Sequence, residues 1–251
     1  MIKLGIIGGS GLENFSLFTK SDEVFCTTIY GEPSSSLLIG KIGETEVVII
    51  SRHGRQHTIT PTHVNNRANI TALKEAGCTH IIATTACGSL REEIAPGHLV
   101  FLDQFIDFTR LRALTFFESF EPHIMKHTPM ADPFSDQLRK LLINAALKLN
   151  LTHHTKGTVI TIEGPRFSTR AESKMFQLWG ADVINMSTAP EASLANEAEI
   201  PYAAIALSTD YDCWKEHEES VTWEAVLKVF NQNVINVTNL LVETINLLNN
   251  L

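Results

Sequence analysis

The stretch YAAIALSTDYDCW, residues 202–214, sets six apolar residues, Tyr202–Leu207, ahead of two aspartates one residue apart. A short apolar run with aromatic and β-branched members is the signature of a strand buried on both faces of a parallel sheet. Such a strand has no structural reason to end in two acids. On an extended chain residues i and i+2 point the same way, so Asp210 and Asp212 are expected to share a face. Like charges held that close disfavour joint ionisation.

Working outward, the chain alternates strand and helix signals. Leu4–Ile7 is an apolar strand that runs into Gly8-Gly9-Ser10-Gly11. Leu37–Ile39 and Val47–Ile50 read as a hairpin around Gly43-Glu44. A helix is expected from Pro61 to about Ala76, with Thr60 as cap, proline in its first turn and Gly77 as stop. His80–Thr84 is a buried strand, and His98–Phe105 another. Asp132-Pro133 opens a helix that runs to about Leu149, and Thr158–Ile162 is again a strand. Thr169-x-x-Glu172 and Thr188-x-x-Glu191 both fit the capping box, with the strand Asp182–Met186 between them. A long amphipathic helix from about Thr222 to Leu248 closes the pattern. Alternation of this kind implies one α/β domain over residues 1–251, with a mostly parallel central sheet flanked by helices.

Composition narrows the function. At 44% apolar and 19% charged residues the chain is ordinary globular material, without repeats, linkers or low-complexity segments. The net charge of −8 and the absence of a basic patch count against nucleic acid as a partner. No apolar run approaches the length that crosses a membrane, and the glycine-broken N-terminal stretch is no signal peptide. Cys26, Cys78, Cys87 and Cys213 form no CxxC pair and no disulfide framework, which fits a cytoplasmic protein. His53 and His57 are spaced as metal ligands could be, but the intervening Gly54 and Arg55 point to loop histidines, and no metal is expected.

In parallel sheets ligands bind beyond the carboxyl ends of the strands. Those ends carry Gly9-Ser10-Gly11, Arg52-His53-Gly54, Thr85-Ala86-Cys87-Gly88, Glu163-Gly164-Pro165-Arg166-Phe167, Asn185-Met186-Ser187 and the two aspartates. Backbone N–H groups, hydroxyls and an arginine converging from several ends describe a cradle for a phosphate-type oxyanion. A dinucleotide is excluded, because the glycine-rich fingerprint needs glycine at position 14 and Asn14 stands there.

These motifs carry a resemblance. The stretches GIIGGSGL (5–12), SRHGRQHTITP (51–61), ALKEAGCTHIIATTACGSLREEIAPG (72–97), DQFIDFT (103–109), EGPRFSTRAESKMFQLWGADVINMSTAPE (163–191) and TDYDCWKEHEE (209–219) closely resemble the trimeric purine nucleoside phosphorylase family, and within it the methylthioadenosine phosphorylases. The likeness is looser over residues 15–50, 111–128 and the final helix. It implies phosphorolysis of S-methyl-5′-thioadenosine to adenine and 5-methylthioribose 1-phosphate by a homotrimer. Phosphate is then a co-substrate, and neither an organic cofactor nor a metal is implied. By the same resemblance Ser10, Arg52, His53, Thr85, Ala86 and Ser187 contact phosphate. Phe167, Ile184, Asn185 and Met186 surround base and ribose. Asp210 and Asp212 recognise the purine, and His127 reaches a neighbouring subunit's site. Trp223, Val226 and Leu227 line the 5′ pocket.

The residues agree with that chemistry on their own terms. Cleaving an N-glycosidic bond leaves positive charge on the sugar and negative charge on the purine. Bound phosphate answers the first. The second needs a proton donor near N7, and a carboxylic acid kept protonated by burial and a like-charged neighbour supplies one near neutral pH. Either aspartate could instead cap the following turn. Phe167 could stack on a base or simply fill core. Trp223, Val226 and Leu227, at i, i+3 and i+4, form a helical stripe that suits core, subunit interface or the wall of an apolar pocket. A phosphorylase for adenosine, inosine or methylthioinosine is the competing reading. A carboxylate at 210 suits a 6-amino group better than a 6-oxo group.

Overall fold

The computed structural model describes residues 2–9, 18, 21–215 and 222–249, with the backbone alone at Trp223, Phe230 and Gln232. The described strands are β1 (Lys3–Gly8), β2 (Ser21–Val24), β3 (Leu37–Ile42), β4 (Thr45–Ser51), β5 (His80–Ser89), β6 (Leu99–Phe101), β7 (Gln104–Phe108), β8 (His153–His154), β9 (Thr158–Ile162), β10 (Val183–Asn185) and β11 (Tyr202–Asp210). The helices are α1 (Asn66–Glu75), α2 (Asp136–Lys148), α3 (Arg170–Leu178), α4 (Thr188–Glu197) and α5 (Trp223–Leu248).

All eleven strands join one sheet, in the order β2-β3-β4-β1-β5-β10-β9-β7, with β11 paired to β5 and β6, and β6 to β8. The pairs β1–β4, β1–β5, β5–β11, β6–β8, β7–β9 and β9–β10 are parallel, whereas β2–β3, β3–β4, β5–β10 and β6–β11 are antiparallel. The sheet is therefore more mixed than the alternating pattern suggests. Its centre is parallel, and the carboxyl ends of β1, β4, β5 and β11 open on one edge.

Alternate residues of the central strands feed two cores. Leu4 and Ile6 of β1 pack with Leu138 and Leu142 of α2 and Leu240, Leu241 and Ile245 of α5. Ile7 points the other way, with Ile70 and Leu73 of α1 and Leu194 and Ala195 of α4. Both faces are covered, which is why these strands read as unbroken apolar runs. Each such leucine or isoleucine contributes about 1.5–3 kcal/mol by leaving water.

Three boundaries differ from the sequence reading, each for a local reason. The helix expected from Pro61 is only a 3₁₀ turn, Pro61–His63, after which Val64 is extended. The Thr60 hydroxyl engages Nδ1 of His63 at 2.7 Å, so Asn65 caps α1 instead, its side chain accepting the Ala68 N–H. Gly77 does end the helix. At φ +81° it donates to Lys74 O at 2.9 Å while Cys78 donates to Leu73 O at 3.0 Å, the paired closure that a left-handed residue permits. The strand expected over 98–105 breaks at Leu102 and Asp103, where the chain leaves β11 and joins β9. The helix expected at Asp132 begins at Asp136, capped by the Ser135 hydroxyl, which accepts the Leu138 N–H at 3.3 Å.

Candidate active site

A cleft at the carboxyl edge of the sheet is lined by Arg52, His53, His57, Thr85, Ala86, Gly88, Phe167, Ser168, Ile184, Asn185, Met186, Ser187, Thr209, Asp210, Asp212 and Val226, among others. Twelve of the residues expected at the site meet here: Arg52, His53, Thr85, Ala86, Phe167, Ile184, Asn185, Met186, Ser187, Asp210, Asp212 and Val226. Ser10 lies outside the described residues, and so does the side chain of Trp223. Leu227 is partly buried but does not line the cleft, because one step along α5 turns it about 100° away from Val226. His127 is exposed in the irregular stretch after β7, its ring 5.7 Å from that of Phe120, and does not line its own chain's cleft.

At one end Arg52 follows β4 directly and is only 2% exposed. Its guanidinium forms a fork on Glu191 of α4, Nε to Oε1 and Nη2 to Oε2, and Nη1 donates to Thr84 O at 2.9 Å. The Tyr202 hydroxyl donates to Glu191 Oε2 at 2.8 Å. Burial and the Glu191 carboxylate together hold the Tyr202 phenol well above its ordinary range. Gly9 is required beside this clamp, since a Cβ there would stand 2.4 Å from Thr84 O and 2.6 Å from Arg52 Nη1. The second capping box is thus not formed. Ser187 is the N-cap of α4 with no side-chain cap bond, and Glu191 is spent on Arg52.

Asn185, at the end of β10, organises the hydroxyls. Its Nδ2 donates to Thr188 Oγ1 at 2.6 Å and to Thr85 Oγ1 at 3.2 Å, and its Oδ1 accepts from Thr161 Oγ1 at 2.9 Å. Thr85 and Ser187 stand 3.2 Å apart. A buried arginine, two hydroxyls and the N-terminus of α4 therefore border one end of the cleft. This set suits an oxyanion, the helix end adding about 0.3–1 kcal/mol, and the Arg52–Glu191 pair adds little net charge. His53 points Nδ1 at Ile59 O, 2.8 Å away. A carbonyl only accepts, so the proton sits on Nδ1.

At the other end β11 delivers Asp210. Its Oδ1 accepts the Asp212 N–H at 2.8 Å, and its Oδ2 lies 2.8 Å from the Thr209 hydroxyl. Burial pushes the carboxyl up to about 6, against the pull of those two bonds, and the neighbouring Asp212 adds a smaller push. Asp212 is also raised by burial, although the Ser168 hydroxyl pulls the other way. The two acids do meet, but not through an extended chain. Asp212 has φ +50°, in a turn that Asp210 itself closes. Ser168 Oγ sits 2.9 and 2.7 Å from the two Asp212 oxygens. Gly88 leaves the floor open between them, since a Cβ there would lie 3.1 Å from both Asp210 Oδ1 and Ile184 Cγ2.

Sequence reading missed several contributors. Glu191 and Tyr202 hold Arg52, and Ser168 holds Asp212. Arg112 anchors Met186, donating to its carbonyl at 3.2 Å while paired with Glu163 at 2.7 Å. Only Glu191 left a signal in the sequence, and it was the capping-box spacing that misdirected it.

The chain is similar to proteins of known family over nearly its whole length. Residues 3–246 match the phosphorylase superfamily. The S-methyl-5′-thioadenosine phosphorylase of Xenopus tropicalis is 55% identical over 248 residues, 97% of this chain and 88% of the relative. A solved methylthioadenosine phosphorylase from Schistosoma mansoni, in complex with adenine, superposes with a TM-score of 0.95 at 43% identity, covering 100% of this chain and 93% of that one. A variant of the adenosine/methylthioadenosine phosphorylase from the same organism, in complex with methylthioadenosine, gives 0.94 at 42% identity, with the same two coverages of 100% and 93%.

Proposed function

The chain belongs to the phosphorylase superfamily, and on that premise we propose that it cleaves S-methyl-5′-thioadenosine with inorganic phosphate, releasing adenine and 5-methylthioribose 1-phosphate. It is an enzyme of the pentosyltransferase class. The observation that carries the reading is the union in one cleft of an oxyanion border with a buried carboxylic acid raised to about 6.

Phosphate sits between Arg52, His53, Thr85, Ala86, Ser187 and the start of α4. It is both the nucleophile at C1′ and the anion that steadies the positive sugar. The purine lies between Phe167 and the Ile184–Gly88 floor, with Asn185 and Met186 beside the ribose. Asp210, protonated, donates to N7 as the C1′–N9 bond breaks, and its other oxygen accepts from the 6-amino group. Asp212, steadied by Ser168, orients Asp210 through its backbone N–H. A 6-oxo purine would turn an acceptor toward that oxygen, which costs about 1–3 kcal/mol. Val226 forms part of an apolar wall for the 5′ methylthio group, where a phosphorylated 5′ position would be desolvated without a partner.

The working unit is a homotrimer of one-domain subunits, with His127 of each chain serving the next chain's cleft. Light scattering that found a fully active monomer would overturn that part. Phosphate is the sole accessory molecule, with no cofactor or metal. The setting is the cytoplasm, a view supported by four free cysteines and by the lack, among the described residues, of a helix long and apolar enough to cross a membrane. Adenine release from methylthioadenosine, followed with and without phosphate, tests the function. Release that proceeds equally without phosphate would make the enzyme a hydrolase.

A further inference from the structure

The end of β11 is irregular. Ser208 pairs with Cys87 and Asp210 with Gly88, so Thr209 is an extra residue without a partner opposite it. A bulge re-aims the side chains around it. Here it sets the Thr209 hydroxyl, 4% exposed, between two oxygens, 3.1 Å from Cys87 O and 2.8 Å from Asp210 Oδ2. A hydroxyl owns one proton. It cannot donate fully to both oxygens at once, so which contact it donates to depends on the charge of Asp210. Cys87 O is a carbonyl and can only accept. Asp210 Oδ2 can either accept or, when protonated, donate.

The second oxygen of Asp210 is less free. Oδ1 accepts the Asp212 N–H at 2.8 Å, and a backbone N–H only donates. Oδ1 is thereby held as the acceptor oxygen, which leaves Oδ2 to carry the acid's proton. We propose that Thr209 is a positioning residue whose hydroxyl reverses with the charge of Asp210. With the cleft empty and the acid protonated, Oδ2–H donates to Thr209, and Thr209 donates to Cys87 O; when the purine binds, Oδ2–H turns to N7 while Thr209 keeps its bond to Cys87 O. With the acid ionised, Thr209 swings round and donates to Oδ2. This inference rests on the reading of Asp210 as the acid that protonates the purine.

The step balances without Thr209 gaining or losing a proton. The Asp210 O–H bond breaks and an N–H bond forms at N7. The C1′–N9 pair goes to the purine, and a phosphate oxygen bonds C1′. The hydroxyl's rotation exchanges its bond to Cys87 O for one to Oδ2, so the new carboxylate gains a donor already within hydrogen-bond reach. No water has to enter. The surroundings leave the hydroxyl as the responsive group. Asp212 and Cys213 follow in the same turn, the Cys87 thiol stands on β5 with its proton held tightly by burial, and Glu172 of α3 acts on Asp212. Arg52, His53 and His57 line the cleft from the β4 side.

The test is the pH profile of kcat/KM for methylthioadenosine at saturating phosphate, for wild type, Thr209→Val, Thr209→Ser and Asp210→Asn. Phosphate titrates alike in all four, so differences between profiles belong to the protein. Loss of the hydroxyl removes a charge-assisted bond from the ionised acid and a weaker bond from the neutral one. The Asp210 limb of Thr209→Val should therefore move up by roughly 1 pH unit, with plateau activity falling roughly tenfold. Thr209→Ser should restore both. Asp210→Asn should lack the limb. If Asp210→Asn lacks it but Thr209→Val keeps it in place, the rotor is wrong and the acid stands. If Asp210→Asn retains the limb, acid and rotor both fall. Thr209→Ala, smaller but still lacking the hydroxyl, should move the limb as valine does. A limb unmoved in Thr209→Ala would overturn the proposal even if the valine variant does not fold.

Discussion

Replacing Glu191 with glutamine should damage the protein and its use of phosphate together. Arg52 and Glu191 are 2% and 1% exposed, and two hydrogen bonds join them. Glutamine keeps the shape but removes the charge, and it turns an NH₂ group toward guanidinium donors. Breaking a buried ion pair from one side costs about 3–5 kcal/mol, because the remaining charge stays buried without its partner. That is a large share of a total stability of about 5–15 kcal/mol. At about 2–4 °C per kcal/mol for a chain of this size, Tm should fall by about 6–20 °C. Tyr202→Phe removes only the 2.8 Å bond to Glu191 Oε2 and should cost about 1.5–3 kcal/mol. Thermal unfolding and the phosphate KM, measured on both variants, check the order. Phosphate KM should rise more for Glu191→Gln than for Tyr202→Phe, with the nucleoside KM little changed. A Glu191→Gln protein that melts within about 2 °C of wild type, below the smallest shift expected from a broken buried pair, and binds phosphate normally would refute the clamp.

Arg52→Ala should raise the phosphate KM about ten- to a hundredfold, the worth of one charge-assisted hydrogen bond, while equal changes in both substrates' KM would make Arg52 merely structural. On the proposed role of Asp210 as proton donor, wild-type kcat/KM should decline as pH rises through about 6, and a profile flat from pH 5 to about 8 would remove that role. The same carboxyl weakens the fold. Its folded value of about 6 lies above the unfolded 3.8, so the stability it contributes is present below 3.8 and lost by about 6, a change of about 3 kcal/mol. Asp210→Asn should therefore melt higher than wild type at pH 7.5 and much like it near pH 4, and an equal offset at both would show that charge is not the cause. Val226→Ala should lower the preference for methylthioadenosine over adenosine about tenfold, since about two methylenes of apolar wall are lost, and an unchanged ratio would return Val226 to the core.

What the sequence makes legible is local. The run Tyr202–Leu207 announces a two-sided buried strand, and Thr169 with Glu172 closes as a capping box from both sides, with bonds of 3.2 and 2.7 Å. Placing strand ends together brings Arg52, Thr85, Asn185, Ser187 and Asp210 to one cleft without any knowledge of register. What escapes is long-range pairing. Glu191 stands 139 residues from Arg52, and its spacing from Thr188 imitates a helix cap, so the tertiary partner overrides the local motif. Arg112 reaches Met186 across 74 residues from a stretch with no periodicity at all. Thr209 looks like one more polar residue after a strand, and only the bulge that shifts the pairing between Ser208 and Asp210 reveals which way its hydroxyl points. Leu227 shared a plausible stripe with Val226, but a stripe about one helical face wide does not say which edge meets the cleft.

The most direct test of the account is the ratio of kcat/KM for methylthioadenosine to that for methylthioinosine, measured by adenine and hypoxanthine release at saturating phosphate in wild type and Asp210→Asn. A protonated Asp210 matches adenine at N7 and at the 6-amino group, and meets a 6-oxo purine acceptor against acceptor. Wild type should favour methylthioadenosine by about one to two decades, the cost of an unpaired buried acceptor. Asparagine, with an NH₂ that donates to O6 but a poorer acid for adenine, should narrow the ratio or invert it. A ratio that stays the same in both proteins would contradict the claim that Asp210 reads and protonates the base, and would leave it as the residue that closes the turn at Asp212.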